Sequence, residues 1–566
     1  MKRILLYTVL FSLLCCISSC LDDKNDFNYK QINELNGSIE NMNDHYTVSV
    51  DEELYLKPKF KFTIDSINPD ASYEWYLEGK LLDVKTPDYT FNAVETGKYE
   101  VTYSVVDNKT GVKFSKSTVI TVRSPYQVGW IILSEKEGKS ALSFIKMKSV
   151  KRDDIDIEGN PVKRDSIVFY EVEKYFRPDL GIEPKGLMEH IGVANDFGFS
   201  DAVYDEIVVM QGKDNWAELN GNTMEHEVYT KEEFGNDLPE DFEPVEAAMT
   251  FSSKLIRDKN GYIYLHKKVL ANDFHAGSYI SVPLANNTKF KGLYQAHKLH
   301  RSNYFVIPAC TEDNSLVGIW DIGFYNEYSS AGTPSAITEN SSFYDGNIVE
   351  FTETTDEKHF KQMTKNIVSM VPATCARDND FDVTYSNLVP KWLALMEENG
   401  TYSMRYFGLE GNTQASLVTV TDFKEVPVDA RVFAAGYVDM AVFQHKKYVV
   451  FASGSKIWYC SYGGSSSNAI LLKEFNQNIV SISSHDVEEQ TWDGSIYHNG
   501  HLGVALENGD FFIYEIVEED KMLDKVIVNP LYPSPETESK DNNNFGKIVD
   551  TLYKFGNANG VFTYTF

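Results

Sequence analysis

Cysteine is scarce in this chain of 566 residues. Its six cysteines are Cys15, Cys16, Cys20, Cys310, Cys375 and Cys460. The first three fall near the N-terminus, and the other three are far apart and odd in number. This arrangement excludes a disulfide framework, and the spacing fits no zinc motif. We therefore expect the last three cysteines to be small, buried core residues.

Long apolar runs and positive charge are also lacking. The apolar stretch 4–14 is too short to span a bilayer, and no later stretch is long enough. Lys and Arg total 53 against 83 Asp and Glu, which gives a formal net charge of −30. Removing 1–19, which carries Lys2 and Arg3 and no acid, leaves −30 − 2 = −32. Such acidity argues against nucleic acid as a partner, because phosphate binding needs a basic surface.

Signatures of catalysis and cofactor binding are missing as well. The chain has no Gly-x-Ser-x-Gly elbow, no Walker loop and no dinucleotide fingerprint. His226-Glu227 begins like a zincin motif, but the second His is absent. Aspartates alternate over 378–382 as in calcium loops, but Val383 stands where the tight-turn Gly belongs. We predict no catalytic residue, no metal site and no cofactor.

The N-terminus is the most informative segment that is present. Lys2 and Arg3 precede the apolar run, and Ser18-Ser19-Cys20 follows it. This pattern is typical of a signal peptide and resembles a bacterial lipobox. The resemblance implies that 1–19 is removed and that Cys20 is lipidated. Cys15 and Cys16 are less suitable, because neither follows the small residue that signal peptidases favour.

The residues after Cys20 are acidic. Asp22, Asp23 and Asp26 resemble the stretch that directs Bacteroidota lipoproteins to the outer leaflet, whereas an Asp at this position in enterobacterial lipoproteins suggests retention in the inner membrane. We adopt the first interpretation, which places the chain at the cell surface, anchored to the outer membrane. Residues 20–44 are polar and predict a flexible tether.

Residues 45–123 predict one β-sandwich. Apolar and polar residues alternate in 73–80, which contains Trp75, and in 97–107, which begins Gly-Lys-Tyr. These two strands resemble those of a PKD or immunoglobulin-like module. The sandwich lacks the Cys-Trp-Cys set of antibody domains.

Seven hairpins follow in 125–566. They lie at 129–145, 206–219, 254–265, 304–319, 392–406, 448–459 and 502–513, several around Asn-Gly turns. Repeated hairpins predict a seven-bladed β-propeller, with 560–566 as the strand that closes the ring. The intervals 146–205 and 321–390 read as long insertions. A large irregular sandwich is the alternative. The predicted fold class is therefore all-β, an N-terminal sandwich followed by a seven-bladed propeller.

The whole pattern is similar to the PKD-like family lipoproteins of Bacteroidota. A lipobox, an acidic stretch, one PKD-like module and a body that opens with 126–134 carry the resemblance. The resemblance implies an accessory ligand-binding or assembly subunit of a SusC/SusD-like importer of peptides or glycans. The implied partners are that transporter, other surface lipoproteins and the ligand. The alternative function is a propeller-fold surface glycan hydrolase or lyase, for which paired carboxylates should converge in the central pocket.

Two groups of residues are candidates for ligand binding. A basic stretch in this acidic chain predicts recognition of a carboxylate or contact with a partner, although such a stretch is also typical of a solvated hairpin. Aromatic side chains on propeller loops suit stacking on sugars or peptides. The basic candidates are Lys289, Lys291, His297, Lys298 and Arg301, and the aromatic candidates are Trp216, Tyr325, Tyr328 and Tyr344.

Overall fold

The computed structural model describes the chain in segments between residues 32 and 554. These segments are 32–64, 66–126, 129–155, 161–193, 203–213, 215–249, 253–267, 275, 277–295, 305–321, 347–353, 359–373, 391–412, 417–443, 448–462, 467–490, 496–518, 526–533 and 543–554. The chain divides into two compact units, Met1–Arg123 and Ser124–Phe566. No helix within the described segments has the length and apolarity needed to cross a bilayer.

The first unit is a β-sandwich, as predicted. Its strands are β1 (His45–Ser49), β2 (Glu53–Leu56), β3 (Ala71–Leu77), β4 (Lys80–Leu81), β5 (Tyr89–Asn92), β6 (Gly97–Asp107) and β7 (Lys113–Arg123). One sheet has the order β1-β7-β6-β3-β4, and β2 pairs with β5 in the other. β1 runs parallel to β7, whereas the other pairs are antiparallel.

Trp75 lies at the centre of the sandwich core. Its side chain is fully buried, and its ring centroid lies 4.8 Å from that of Tyr103 and 5.2 Å from that of Tyr89. The indole Nε1–H donates a hydrogen bond of 3.0 Å to the carbonyl of Thr86. The polar edge of this large apolar ring is therefore satisfied inside the core.

The predicted tether is shorter than 20–44, because the described residues from 32 onward already pack on the sandwich. Ile39 and Met42 are buried in its core. Backbone bridges join Leu35 to Phe62 and Glu40 to Lys59. The sequence is polar overall, but these few apolar side chains are enough to fix the segment. The part of the predicted tether before residue 32 lies outside the described residues.

The described segments of the second unit contain seven groups of antiparallel strands, which form the blades of a propeller. From the centre outward, the strands are as follows: blade 1, β34 (Lys547–Lys554), β8 (Gly129–Lys136), β9 (Lys139–Ile155) and β10 (Pro161–Arg177); blade 2, β11 (Gly186–Val193), β12 (Val203–Met210), β13 (Ala217–Asn220) and β14 (His226–Tyr229); blade 3, β15 (Pro244–Met249), β16 (Ser253–Asp258) and β17 (Ile263–Lys267); blade 4, β18 (Phe290–Leu293), β19 (Phe305–Thr311), β20 (Leu316–Asp321) and β21 (Ile348–Thr352); blade 5, β22 (Asn366–Pro372), β23 (Lys391–Glu398), β24 (Thr401–Asn412) and β25 (Leu417–Pro427); blade 6, β26 (Asp439–Phe443), β27 (Tyr448–Ser453), β28 (Lys456–Ser461) and β29 (Ala469–Glu474); blade 7, β30 (Ile479–Gln490), β31 (Ile496–Leu506), β32 (Phe511–Glu518) and β33 (Val526–Tyr532). A parallel pairing of β21 with β25 joins blades 4 and 5. Two short helical turns, Thr230–Phe234 and Leu284–Asn287, lie between blades.

Seven apolar clusters close the ring, one between each pair of consecutive blades. Neighbouring residues of the second strands point to opposite sides, as the two-residue repeat of a strand requires: Ile207 faces blade 1, whereas Val208 faces blade 3. Representative pairs around the ring are Ile131 with Ile207, Val208 with Ile256, Leu255 with Ile307, Val306 with Trp392, Leu393 with Val449, Val450 with Leu502, and Ala505 with Ile132. The prediction of a seven-bladed propeller is confirmed.

The described strand that closes the ring is β34. β34 pairs antiparallel with β8, so the C-terminal part of the chain supplies the innermost strand of blade 1. Lys547, Asp550 and Lys554 interrupt its apolar pattern, which explains why the uncharged segment 560–566 was the more conspicuous candidate. Residues 560–566 lie outside the described segments.

The seven predicted hairpin turns all lie at one end of the ring, which we call the turn end. They join the second strand of each blade to the third. Because strands in a blade are antiparallel, the connections from first to second and from third to fourth strands open at the opposite end, which we call the insertion end. Two long connections, 322–347 and 373–390, join strands that open at the insertion end.

The intervals predicted as long insertions contain blade strands. β10 and β11 lie within 146–205, and β21 and β22 lie within 321–390. β11, β21 and β22 each pair with a strand across a longer connection and not through a tight turn, whereas β10 follows β9 after only five residues, 156–160. Only the segments that connect these strands are insertions relative to the blades.

Candidate functional site

The structure places three of the candidate binding residues. Trp216 is 1% exposed and packs in the apolar cluster between blades 2 and 3, so its predicted role in surface stacking is wrong. Lys289 and Lys291 are exposed; Lys289 directly precedes β18, and Lys291 lies within it. Lys289 Nζ lies 5.4 Å from the ring centroid of Tyr262.

The other candidates lie outside the described residues. They are Cys20, Asp22, Asp23, Asp26, His297, Lys298, Arg301, Tyr325, Tyr328 and Tyr344. The described strands on either side of the last six, β18 with β19 and β20 with β21, open at the insertion end.

A buried charged cluster that the sequence did not predict lies between blades 2 and 3. We call it the Lys254 cluster: Lys254 on β16, Glu206 on β12, Glu218 on β13, Glu233 on the helical turn Thr230–Phe234, and His275 in the connection after β17. Lys254, Glu206 and Glu218 are 0% exposed. Glu233 is also buried, and His275 is partly exposed.

Strand alternation explains how these charges come together. Glu206 stands two residues before Val208, and Glu218 is the cross-strand partner of Val208, so both carboxylates share the face that Val208 turns to blade 3. Lys254 stands two residues before Ile256, which faces blade 2. The lysine and the two glutamates therefore meet across the interface.

Lys254 Nζ lies at the centre of the cluster. It donates to Glu218 Oε2 at 2.5 Å and to Glu233 Oε1 at 3.0 Å, and it lies 4.0 Å from Glu206 Oε2. Thr230 Oγ1 donates to the second oxygen of Glu218 at 2.7 Å. His275 joins the cluster through Nδ1, 2.9 Å from Glu233 Oε1, and through Nε2, 3.3 Å from Glu206 Oε1.

The pKa values of the groups in the Lys254 cluster shift in different directions. Burial raises the pKa of Glu206 well above its usual range, and the nearby Glu218 carboxylate adds to this shift. Burial opposes ionisation of Glu218 too, but the Lys254 ammonium outweighs it and brings the pKa of Glu218 to about 2. For Lys254, the surrounding carboxylates overcome burial and raise the pKa. Burial likewise opposes charge on His275, but Glu227 and Glu233 raise its pKa to about 10.

The cluster contains a set of donors that suits a metal ion. Donor atoms of Glu206, Glu218 and His275 lie within 4.8 Å of one another. However, the Lys254 ammonium already stands among them and contacts Glu218 directly. A metal ion would have to displace a fully buried lysine, so the arrangement fits an internal ion-pair network that joins two blades better than a cation site.

A signal for this cluster is visible in the sequence once the blades are known. Lys254 lies in β16 directly before Leu255 and Ile256, and Glu218 lies between Ala217 and Leu219. A charge at a core position of a strand indicates a buried partner. The identity of that partner depends on which blades adjoin, and no local pattern carries this information.

A second group of acids ties the innermost strands together. Asp439 on β26 accepts hydrogen bonds from the N–H of Met440 at 2.8 Å and of Ile482 on β30 at 2.9 Å. Glu246 on β15 accepts one from the N–H of Leu293 on β18 at 2.8 Å. Burial raises the pKa of Asp439 to about 7 and also raises the pKa of Asp550 on β34. These carboxylates connect neighbouring blades near the centre of the ring.

These observations define the class: a two-unit, all-β protein with a sandwich followed by a seven-bladed propeller. Residues 20–168 match the model of the PKD-like family. The match covers the sandwich and continues into the first blade. No curated protein matches the chain in sequence.

Several solved structures are similar to this chain at low sequence identity. They include a quinonprotein alcohol dehydrogenase-like protein from Bacteroides thetaiotaomicron, with a TM-score of 0.33, 10% identity, and coverage of 94% of this chain and 97% of that chain. Prp20p from Saccharomyces cerevisiae has a TM-score of 0.32, 9% identity and coverage of 63% and 87%. A mutant of AofleA from Arthrobotrys oligospora has a TM-score of 0.31, 10% identity and coverage of 62% and 90%. The propeller assignment rests on the sheets and interblade clusters of this chain and not on these scores.

Proposed function

We propose that the chain is a surface lipoprotein, anchored to the outer membrane through Cys20, whose propeller binds a ligand or partner as an accessory subunit of a SusC/SusD-like uptake system. The observation that carries this proposal is the asymmetry of the ring. The described strand pairs β18 with β19, β20 with β21 and β22 with β23 open at the insertion end, and they are joined by 294–304, 322–347 and 373–390. Rigid blades that present long connections at one end are typical of binding platforms.

The first described residues and the last strand of the sandwich lead to opposite poles of that unit. Asn33 hydrogen-bonds through its side chain to Asp107, at the pole where β6 ends and β7 begins. β7 then runs 11 residues to Arg123, after which the propeller begins. The chain thus enters the sandwich at one pole and leaves at the other, a separation of about 35 Å at the rise of a strand.

Anchoring is tested by a Cys20→Ala variant. The wild-type chain should label with palmitate and pellet with outer membranes, whereas the variant should do neither. Protease treatment of whole cells should remove the wild-type chain. Replacing Asp22, Asp23 and Asp26 with Ala should protect it, because the export signal is lost. An unlabelled wild-type chain, or a Cys20→Ala variant that still pellets with membranes, contradicts the anchor.

Association is tested by cross-linking intact cells and purifying the tagged chain. We expect a SusC/SusD-like pair among the cross-linked proteins. A chain in which 322–346 is replaced by a short Gly-Ser linker should lose this pair, whereas a variant at the turn end, Lys259→Ala, should keep it. If the wild-type chain, the linker variant and Lys259→Ala all recover the SusC/SusD-like pair equally, binding through the insertion end is contradicted.

The alternative, a surface glycan hydrolase or lyase, is favoured by one observation. Asp439 and Asp550 interact electrostatically near the centre of the ring. Their carboxylates, however, accept hydrogen bonds from the N–H groups of neighbouring strands, which suits a structural role. The test is hydrolysis or cleavage of a panel of oligosaccharides by the purified chain. If the wild-type chain turns over one of them, and Asp439→Asn abolishes this turnover without changing the melting temperature, the hydrolase or lyase function is favoured instead.

A further inference from the structure

Lys254 and Glu218 are held in a geometry that permits a covalent bond. Lys254 Nζ and Glu218 Oε2 are 2.5 Å apart, and both side chains are 0% exposed. The two residues lie on strands of different blades, 36 positions apart in sequence. Fixed reactants of this kind have effective molarities of about 10⁵ M or more in model reactions.

A third carboxyl group completes the arrangement. Glu206 Oε2 lies 4.0 Å from Lys254 Nζ, and the Glu206 carboxyl hydrogen-bonds to that of Glu218. Glu206 is also 0% exposed. The buried Glu206 carboxyl can therefore carry protons between Lys254 and Glu218 without help from bulk water.

We propose that Lys254 and Glu218 condense to an intramolecular isopeptide bond between Nζ and Cδ, with Glu206 as the proton carrier. The apolar surroundings support this assignment. Trp216, Phe234, Tyr264 and Tyr279 belong to the cluster at this interface and exclude water from it. Exclusion of water favours condensation over hydrolysis.

The step is balanced without any external reagent. The Lys254 ammonium first passes a proton to the Glu218 carboxylate, and the free amine attacks Cδ of the resulting carboxylic acid. The N–C bond forms, the protonated Glu206 carboxyl gives its proton to the Glu218 hydroxyl group, and the C–O bond breaks to release water. Nζ returns a second proton to Glu206, so the ammonium and carboxylate become an amide and one water molecule. Nothing is oxidised or reduced.

The bond would connect blades 2 and 3 covalently. The two cysteines in the described part of the chain, Cys310 and Cys460, are free and buried, so this unit shows no disulfide there. A cross-link that closes a long loop stabilises a fold mainly by restricting the unfolded chain. The inference does not depend on the anchor or the ligand.

The test is the intact mass of the folded full chain that carries Cys20→Ala, purified, incubated for a day at 37 °C and measured under denaturing conditions. We expect a mass below that of the sequence by one water molecule, about 18 Da. Proteolysis should yield a branched peptide that joins the segment around Glu218 to the segment around Lys254. A Cys20→Ala chain with the full sequence mass overturns the proposal, and so does a cross-link from Lys254 to Glu233.

Variants separate the roles of the three residues. Lys254→Met should restore the full mass, and Glu206→Gln should leave most of the protein unlinked because the proton carrier is lost. Lys259→Met is the matched control: it removes an exposed lysine, paired with Glu243 at 3.2 Å, and should keep the water loss. A Glu206→Gln protein that cross-links at the wild-type rate contradicts the role of Glu206. Because the wild-type mass alone decides the main question, misfolding of a variant does not weaken the test.

Discussion

Asp550 on β34 accepts a hydrogen bond of 2.8 Å from the backbone N–H of Leu187 on β11. Its other oxygen accepts one of 2.9 Å from Ser481 Oγ on β30. β11 belongs to blade 2 and β30 to blade 7, so one side chain holds the closing strand to both of its neighbours. Closure of the ring therefore depends on polar contacts as well as on the pairing of β34 with β8.

We predict that truncation after residue 546 destroys the cooperative fold of the propeller. The truncation exposes the edge of β8 and removes Ile548 and Tyr553 from the cluster between blades 7 and 1. Truncation after Lys554 is the matched control and should melt close to the full chain. Thermal unfolding followed by circular dichroism measures both proteins. A truncation after 546 that melts like the control would show that β34 is peripheral.

A second prediction concerns Trp216. Trp216→Ala should destabilise the propeller by about 3–5 kcal/mol, because it leaves a large cavity between blades 2 and 3. Lys289→Ala removes an exposed side chain and should change the free energy of unfolding by less than about 0.5 kcal/mol. Urea unfolding measures both values. If Trp216→Ala keeps normal stability but loses ligand binding, Trp216 acts in surface stacking on the ligand, as the sequence predicts.

The fold was predictable where the pattern is local. Asn260-Gly261 and Asn508-Gly509 each form a tight turn between strands adjacent in sequence, so the hairpins could be read from short segments. At Gly509 the backbone φ is +89°, and a Cβ atom there would collide with the backbone of Gly546. Turn chemistry of this kind needs no knowledge of the rest of the molecule.

The features that the sequence did not predict depend on which blades adjoin. Lys254 and Glu218 carry no signal of their pairing, because the interface between blades 2 and 3 brings them together. Trp216 follows a turn, a position that is often exposed, but the same interface buries it. Asp550 makes β34 look unlike a core strand, although backbone N–H groups satisfy its charge.

A third prediction concerns metal ions. EDTA should leave the melting temperature of the purified chain unchanged, because the Lys254 ammonium already neutralises the donors Glu206 and Glu218. A specifically bound ion would stabilise the fold by mass action, and its removal would lower the melting temperature. Scanning fluorimetry with EDTA, and then with excess calcium or zinc, measures both directions. A drop with EDTA that one of these ions reverses contradicts the prediction.

The last prediction is the acid sensitivity that Glu425 on β25 confers. Its carboxylate accepts hydrogen bonds from Ser403 Oγ at 2.7 Å and Arg405 Nε at 3.0 Å, and it also pairs with Lys365 Nζ. Burial opposes ionisation of Glu425, but Lys365 and Arg405 outweigh it and lower the pKa to about 2. An unfolded Glu has a pKa of about 4.3.

Because the pKa of Glu425 is lower in the folded state, the unfolded chain binds its proton first as the pH falls. The stability that Glu425 contributes is therefore complete above about pH 5 and is lost between about pH 4 and pH 2, by up to about 3 kcal/mol. Glu425→Gln removes this titration, so the free energy of unfolding should fall less steeply over that window. The variant should also be less stable at pH 7, because Arg405 is 5% exposed and loses its charged partner.

Urea unfolding at pH 7, 5, 4 and 3 measures how steeply the free energy of unfolding falls with pH. Glu410→Gln, at an exposed position on β24, is the control and should keep the wild-type slope. Equal slopes for Glu425→Gln and Glu410→Gln would mean that the carboxylate of Glu425 is not held by Arg405 and Lys365 in solution.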